Sequence, residues 1–178
     1  VHGGMGFVEE TGAARLLRNA RITPIYEGTN GIQAIDLVTR KIGQSGGEAV
    51  SGLFAELSST LAELSRRNAP EFGETAACLE AGMADLRAAT DHLLGLLRSK
   101  ETDAALAGAA PYLRLFALAS GGIWLAKGAL AGPNDQRIAL CRFVAENLVT
   151  ESSSLRHKVV AGAASLAAAH DLLVEAAS

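Results

Sequence analysis

Aromatic residues and cysteines are scarce in this sequence. Aromatic side chains account for 4% of the 178 residues, although 49% are hydrophobic and much of that fraction is alanine. A composition rich in alanine and poor in aromatic residues favours helices over a β-sandwich. The two cysteines, Cys78 and Cys141, lie far apart without a CxxC pattern. The sequence therefore predicts neither a zinc site nor a disulfide scaffold, and we expect a reducing, cytoplasmic compartment.

An excess of positive charge and a long apolar run are also missing. Lys and Arg total 16 against 19 Asp and Glu, a formal net charge of -3, so nucleic acid is not expected as the main partner. The longest uncharged stretches, Leu115 to Ala126 and Val159 to His170, are shorter than the roughly 20 apolar residues that span a bilayer. We therefore predict no transmembrane segment, and the N-terminus shows no signal-peptide pattern. The histidines are too scattered to predict a metal site: His2, His92, His157 and His170.

Glycine is concentrated in the first 47 residues, and the remaining sequence consists of long amphipathic runs. This change predicts two segments of different character, joined by a short flexible linker at residues 44–47. The chain also opens abruptly inside a glycine cluster, Val1 to Gly4. Domains seldom begin so abruptly.

Two helices are predicted in the first segment. The first runs from Glu9 to Arg21, with acidic residues at its start and arginines toward its end, as the helix dipole favours. Pro24 prevents its continuation. The second helix is expected to start with Asn30 as N-cap and Gln33 completing a capping box. Its apolar residues follow at helical spacing before a stop at Gly43: Ile32, Ile35, Val38 and Ile42.

The second segment is predicted to form at least four helices in an up-down bundle. Leucine-rich stripes mark a helix ending before Asn68 and another from about Phe72 to Ser99. A third, from Ala104 to Gly132, is expected to be the most buried, and Pro111 either kinks it or marks its true first turn. Asn134 or Asp135 caps the next helix. The expected core positions of these helices are Leu53, Leu57, Leu61, Leu64, Leu79, Met83, Leu86, Leu93, Leu97, Phe116, Trp124, Ile138, Cys141, Val144, Leu148, Leu155, Val159, Leu166 and Leu173.

The residues from Tyr26 to Gly31 are the best candidates for chemistry. Glu27 is the only charged residue between Ile22 and Ile35, and a carboxylate that is partly desolvated has a raised pKa and acts as a better base near neutral pH. Gly28 and Gly31 allow a ligand to approach the backbone closely. The alternative is that Glu27 is a solvated loop carboxylate and Gly28 only a turn residue.

Five ordered motifs in the first 41 residues favour the functional interpretation. They are His-Gly-Gly-Met-Gly-Phe (2–7), Glu-Glu-Thr-Gly-Ala-Ala (9–14), Leu-Arg-Asn-Ala-Arg-Ile (17–22), Tyr-Glu-Gly-Thr-Asn-Gly-Ile-Gln (26–33) and Asp-Leu-Val-Thr-Arg-Lys (36–41). Together they resemble the end of the C-terminal helical domain of acyl-CoA dehydrogenases. The rest of the chain resembles, in position and helical pattern, an extra C-terminal helical domain of a longer bacterial branch, which includes enzymes acting on methylthiopropionyl-CoA.

The resemblance implies an all-α fold with a defined domain organisation. Residues 1–43 would be the last helices of the catalytic C-terminal domain, residues 44–47 a linker, and residues 48–178 an up-down, four-helix-type bundle. The missing parts of the family's fold supply most of the flavin and CoA sites. The resemblance therefore implies that this chain alone neither retains FAD nor turns over substrate.

The resemblance also implies roles for individual residues. Glu27 matches the family's catalytic base, which removes the α-proton of an acyl-CoA thioester as the β-hydrogen leaves as hydride to flavin, giving the trans-2-enoyl-CoA. Its backbone N–H and a flavin ribityl hydroxyl would both donate hydrogen bonds to the thioester oxygen. Tyr26 and Gly28 would contribute to the substrate site. FAD would contact Gly3, Gly4, Thr29, Asn30 and Gly31.

Further expectations come with the family. They are fatty-acid β-oxidation as the process, electron transfer flavoprotein as the electron acceptor, and a homodimer or higher homo-oligomer. The alternative is a noncatalytic interaction or oligomerisation module, in which the apolar helix 104–132 packs against another subunit or the catalytic core. One departure from the family pattern is Asn19, which stands where Asp is common.

Overall fold

The structure, a computed structural model, describes residues 2–26, 28–67, 69–132 and 134–177. These residues form helices and turns without a strand, which confirms the predicted all-α class. The chain divides into two compact units, Val1–Gln33 and Ala34–Ser178.

The first unit contains two short 3-10 helices and one α-helix. The 3-10 helices are Gly3–Gly6 and Glu9–Thr11, and α1 spans Ala13–Arg21. The continuous helix predicted from Glu9 to Arg21 is therefore wrong at its start. Gly12 adopts a left-handed conformation with φ of 76°, which separates the two helices because residues in a right-handed helix have negative φ.

Helix α2 spans Asn30–Asp36 and continues as a π-helical turn over Leu37–Lys41. Its buried residues in the second unit are Ala34, Val38 and Ile42. The predicted apolar stripe is confirmed at Val38 and Ile42 and wrong at Ile32 and Ile35, which are exposed, whereas Ala34 is buried. Residues 44–47, the predicted linker, form a 3-10 turn in which Ser45, Gly46 and Gly47 all have positive φ.

Five long helices and one short one follow. They are α3 (Glu48–Arg67), α4 (Thr75–Arg98), α5 (Thr102–Ala107), α6 (Ala109–Ala131), α7 (Asp135–Asn147) and α8 (Ser152–Ala177). The predicted leucine stripes of α3 and α4 supply much of the core, including the fully buried Leu79, Leu86 and Leu93.

Helix α6 lies at the centre of this bundle, in contact with α3, α4, α7 and α8. Pro111 occupies its first turn, where the missing N–H costs no helical hydrogen bond, so the second of the two interpretations of Pro111 is confirmed. By length and composition alone α6 would be long and apolar enough to cross a membrane, but ten of its residues are buried in the bundle. Trp124, predicted in the core, is 42% exposed.

The last two helices confirm one local prediction and correct another. The side chain of Asn134 accepts a hydrogen bond from the backbone N–H of Arg137 at 2.9 Å, as a predicted N-cap should. In α8, Leu155 and Val159 are buried as predicted, but Leu166 and Leu173 are 56% and 72% exposed. The predicted core face of α8 is therefore covered only in its first half.

Candidate functional site

The loop that contains the predicted base lies between α1 and α2. Helix α1 ends at Arg21, three residues before Pro24, which lacks the N–H that a longer helix would need. The backbone N–H of Tyr26 donates to the Ile22 carbonyl at 2.9 Å, and the N–H of Asn30 donates to the Pro24 carbonyl at 3.1 Å. The second bond joins the two ends of the loop. Glu27 itself lies outside the described residues, so its role stays a prediction.

The residue after Glu27 has a conformation that requires glycine. Gly28 has φ of 102°, and a Cβ built on it would lie 3.2 Å from Nε2 of Gln33 and 3.5 Å from Cγ2 of Ile32. A side chain here would be strained by the backbone and crowded by the start of α2. Gln33 and Ile32 therefore border Gly28, and the approach of a ligand to its backbone stays a prediction.

The start of α2 is capped one residue earlier than predicted. The hydroxyl oxygen of Thr29 accepts the N–H of Ile32 at 3.4 Å, and the Thr29 carbonyl accepts the N–H of Gln33 at 3.0 Å. Asn30 is already the first helical residue, so its assignment as N-cap, with Gln33 closing a capping box, was wrong. Thr29, Asn30 and Gly31 are all exposed.

The glycine segment forms a second exposed element of this unit. Gly3 has φ of 55°, and a Cβ built on Gly3 or Gly4 would meet no other atom within 4 Å. The hydroxyl of Thr11 donates to the Met5 carbonyl at 2.9 Å, which holds the segment against the second 3-10 helix. Both glycines are exposed. In the described part of the unit, no hydrogen bond joins Gly3 or Gly4 to the loop around Gly28.

A two-pronged ion pair links the second 3-10 helix to α1. Arg18 Nη1 and Nη2 lie 2.7 Å and 2.9 Å from the two carboxylate oxygens of Glu9. The hydrogen bonds and charge of Arg18 lower the pKa of Glu9, and those of Glu9 raise the pKa of Arg18. Both side chains are exposed, so the pair orients the two elements more than it stabilises the fold.

Apolar side chains on this unit face solvent. None of the described residues before Ala34 is buried, and Phe7 is 87% and Tyr26 69% exposed. The other large exposed side chains here are Met5, Leu16, Leu17, Ile22, Ile25 and Ile32. Burial of such groups supplies most of the free energy of folding, so this surface has the composition of one that packs against further protein.

Across the described ranges, no group of three or more His, Cys, Asp and Glu residues lies close enough to hold a metal ion. Cys78 and Cys141 are both free thiols, and Cys141 is buried in the core as predicted. Burial raises the pKa of Cys141 to about 11, which suppresses the reactive thiolate near neutral pH.

Both segments of the chain match known protein families. Residues 53–170 match the family "Acetyl-CoA dehydrogenase C-terminal like", and residues 1–42 match "Acyl-CoA dehydrogenase, C-terminal domain". The chain is 36% identical to 3-methylmercaptopropionyl-CoA dehydrogenase of Ruegeria pomeroyi, in an alignment covering 89% of this chain and 29% of that protein. It is also 36% identical to a butyryl-CoA dehydrogenase of Syntrophomonas wolfei, over 51% of this chain and 14% of that protein. The chain thus spans less than a third of the length of these relatives.

Proposed function

Because this chain belongs to the acyl-CoA dehydrogenase family, as part of its C-terminal region, we propose that it carries the catalytic base of an FAD-dependent acyl-CoA dehydrogenase at Glu27. The observation that carries the proposal is the match of residues 1–42 to the family's C-terminal domain, which includes the whole stretch from Tyr26 to Gly31. The reaction is the α,β-dehydrogenation of an acyl-CoA thioester to the trans-2-enoyl-CoA.

The proposed proton transfer sets requirements for the surroundings of its base. A C–H bond next to a thioester carbonyl is a poor acid, so its base must be held in place and kept from full solvation. The neighbours of Glu27 in sequence, Ile25 and Tyr26, are exposed in this chain and would line the pocket once further protein covers them. Their burial around Glu27 would raise its pKa and make it a better proton acceptor. The backbone N–H of Glu27 would donate to the thioester oxygen as negative charge develops there.

The glycine segment and the start of α2 are the proposed contacts of a flavin nucleotide. Gly3 and Gly4 are exposed, and so are Thr29, Asn30 and Gly31 beside the loop of the base. These five residues would hold FAD in the full-length protein. Bound FAD would supply the acceptor for the hydride that leaves the β-carbon.

Only the full-length protein is proposed to be active. The chain spans 29% of the Ruegeria relative, and its candidate site is open to solvent on the described residues.

The names of the two bacterial relatives support short acyl thioesters, such as butyryl-CoA and 3-methylmercaptopropionyl-CoA, as the first substrates to test. Electron transfer flavoprotein as acceptor, a homo-oligomeric assembly and a cytoplasmic location complete the proposal. The two free thiols agree with that location.

The test is Glu27→Gln in the full-length protein, with Glu48→Gln as the matched control. Both changes remove one carboxylate, and Glu48 is an exposed residue at the start of α3. We expect Glu27→Gln to lower kcat on butyryl-CoA by about 100- to 10,000-fold, the range for loss of a general base, with the FAD content unchanged. A kcat within about twofold of wild type, far smaller than the loss expected for a general base, would overturn the assignment.

One observation favours a second role for the bundle. Leu166, Leu172 and Leu173 of α8 are exposed. Helix α6 forms most of the stretch 104–132 that was predicted to pack against another subunit or the catalytic core, and it contacts four long helices of its own chain. A noncatalytic interaction module would therefore use α8 and not α6. Sedimentation of the 178-residue chain tests which surface is used. The double variant Leu166→Ser/Leu173→Ser should weaken self-association through α8 and leave association through another surface unchanged.

A further inference from the structure

The helix that begins at the proposed flavin contacts ends in a turn with an unusual hydrogen-bond pattern. Helix α2 spans Asn30–Asp36 and runs directly into the π-helical turn Leu37–Lys41. The backbone N–H of Ile42 donates to the Leu37 carbonyl, five residues earlier, at 3.0 Å. Single π-helical turns inside α-helices are rare and are frequent at functional sites. This turn therefore points to a requirement on the position of the residues around it.

The π-helical turn aligns three buried side chains. Ala34, Val38 and Ile42 are each no more than 1% exposed, and they follow one another at intervals of four residues. In a regular α-helix, an interval of four residues advances a side chain around the helix axis by about 40°. Ile42 would then lie about 80° away from Ala34. A turn with i→i+5 hydrogen bonds holds more residues, which offsets this drift and returns Ile42 toward the side of Ala34 and Val38.

The core of the bundle holds this aligned face. The three residues belong to the same hydrophobic cluster as the buried residues of α3 to α8. The π-helical turn contacts α6, and Ile42 borders the same small cavity as Val50 of α3 and Phe116 of α6. On the other side of the segment, Asp36 forms an ion pair with Arg40 at 2.8 Å. The packing therefore fixes the second half of the segment in its rotation about the helix axis.

We infer that the π-helical turn is a positioning device, which sets the rotation of α2 about its own axis and thereby the direction of the proposed flavin contacts Asn30 and Gly31. The inference rests on the proposed function. A helix transmits such a rotation because backbone hydrogen bonds join each turn to the next. In the first turn of α2, the N–H of Gln33 donates to the Thr29 carbonyl at 3.0 Å. The buried residues of the π-helical turn act on the flavin site through α2.

Two single-residue deletions in the full-length protein test the rotation directly. Ile35 and Thr39 are both exposed, and each deletion shortens the segment by one residue. Deletion of Ile35 rotates the first turn of α2 by about 100° relative to Val38 and Ile42. Deletion of Thr39 leaves Ala34, Val38 and Ile42 at intervals of four and three residues, which a regular α-helix places on one face. We expect the deletion of Ile35 to weaken FAD binding and the deletion of Thr39 to preserve it.

A matched pair of core substitutions keeps the test valid if a deletion prevents folding. Val38→Ala and Val159→Ala make the same change at side chains that are no more than 1% exposed, and only Val38 lies in the π-helical turn. We expect similar losses of Tm. The Kd for FAD should rise about fivefold or more in Val38→Ala, the lower end of typical couplings between sites, and stay within about twofold of wild type in Val159→Ala. Backbone hydrogen exchange over residues 31–36 should be faster in Val38→Ala alone.

Two results would overturn the inference. One is an equal Kd for FAD in Val38→Ala and Val159→Ala. The other is an equal loss of FAD binding in the two deletion variants, because the rotation of α2 would then have no effect. The assignment of the base is tested separately, since Glu27→Gln is expected to keep FAD. If Glu27→Gln retains turnover while Val38→Ala loses FAD, only the base assignment fails, and a wild-type protein that binds no FAD would overturn both proposals.

Discussion

Gly82 of α4 is in direct contact with Val149, the residue that begins the 3-10 turn between α7 and α8. A Cβ built on Gly82 would lie 2.5 Å from Cγ1 of Val149. From the other side, a Cβ on Gly122 of α6 would lie 3.0 Å from Cγ2 of the same valine and 2.7 Å from Leu79. Val149 is 1% exposed, so two glycines on two helices make the space for one buried side chain.

We predict that Gly82→Ala and Gly122→Ala each destabilise the chain. An added methyl group has no room beside Val149, and overpacking of a core costs about 1–3 kcal/mol. The free energy of unfolding from urea titration measures the loss. Two other helical glycines serve as controls, because a Cβ on Gly95 of α4 or Gly121 of α6 would meet no atom within 4 Å.

The controls should respond in the opposite direction. Alanine has a higher helix propensity than glycine, by roughly 0.5–1 kcal/mol, so Gly95→Ala and Gly121→Ala should leave stability unchanged or raise it. Equal effects of Gly121→Ala and Gly122→Ala would show that Val149 does not pack as described.

We predict that the buried pair Thr90 and Tyr112 responds unequally to removal of either partner. Their hydroxyl oxygens lie 2.7 Å apart, and Thr90 also donates to the Leu86 carbonyl at 2.7 Å. Because the Thr90 hydroxyl has one proton, Tyr112 is the donor in the pair. Tyr112→Phe therefore loses one hydrogen bond, whereas Thr90→Val leaves the tyrosine O–H buried without its acceptor.

The second change should be the more destabilising in urea titrations. A lost hydrogen bond costs about 1 kcal/mol, and a buried donor without an acceptor costs about 1–3 kcal/mol. The double variant should be close to Tyr112→Phe alone, because it has no orphaned O–H. A larger loss for Tyr112→Phe that persists after allowance for packing would contradict this assignment of the donor.

We predict that the chain loses stability between about pH 9 and pH 12, on the basis of two buried groups. Burial raises the pKa of Cys141 from 9.0 to about 11 and that of Tyr112 from 10.0 to about 12. Below pH 9 both groups are protonated in the folded and unfolded chains, so their contribution is complete. Above that, the unfolded chain loses the protons first and the stability falls. Urea titrations across this range should show a weaker decline in Tyr112→Phe than in wild type, and an unchanged decline would contradict the prediction.

We predict that the two thiols differ in reactivity. Burial raises the pKa of Cys78 as well, with smaller contributions from Glu146 and Glu74, but Cys78 is partly exposed and Cys141 is buried. At about pH 8 a thiol reagent should modify Cys78 slowly and Cys141 not at all, because the thiolate is the reactive form. Both should react in denaturant. Cys78→Ser should abolish the reaction of the native chain, and a remaining native reaction would contradict the burial of Cys141.

Local signals in the sequence predicted the starts of α6 and α7. Asn134 caps α7, and Pro111 occupies the first turn of α6, because both depend on a few neighbouring residues. The break between α5 and α6 at Gly108 had no such signal. A Cβ on Gly108 would lie 3.3 Å from Val159 of α8, a distant contact that the sequence around Gly108 does not reveal.

Periodicity predicted apolar faces but not which of them are covered. Leu155 and Leu166 belong to one predicted stripe of α8, yet only Leu155 is buried. Trp124 likewise lies on the edge of the most buried helix and is 42% exposed. A repeat of three to four residues identifies the apolar side of a helix, whereas its cover depends on the length and position of the neighbouring helices.

At the candidate site, the sequence motif predicted the residues and the structure added their local geometry. Pro24 was predicted to end the first helix, and the loop after it is closed by the bond from Asn30 to Pro24. Gln33 was assigned to a capping box with Asn30, and its contact with Gly28 was not foreseen. That contact depends on the positive φ of Gly28, a torsion that glycine permits but does not require.

The central claim is that Glu27 removes the α-proton of an acyl-CoA thioester. Its most direct test mixes butyryl-CoA anaerobically with the full-length, FAD-loaded protein and follows the visible absorbance of the oxidised flavin in a single turnover. The wild-type protein should lose this absorbance rapidly and yield the trans-2-enoyl-CoA, whereas Glu27→Gln should bind the thioester and keep the absorbance of oxidised flavin. Loss of absorbance at the wild-type rate in Glu27→Gln would contradict the claim.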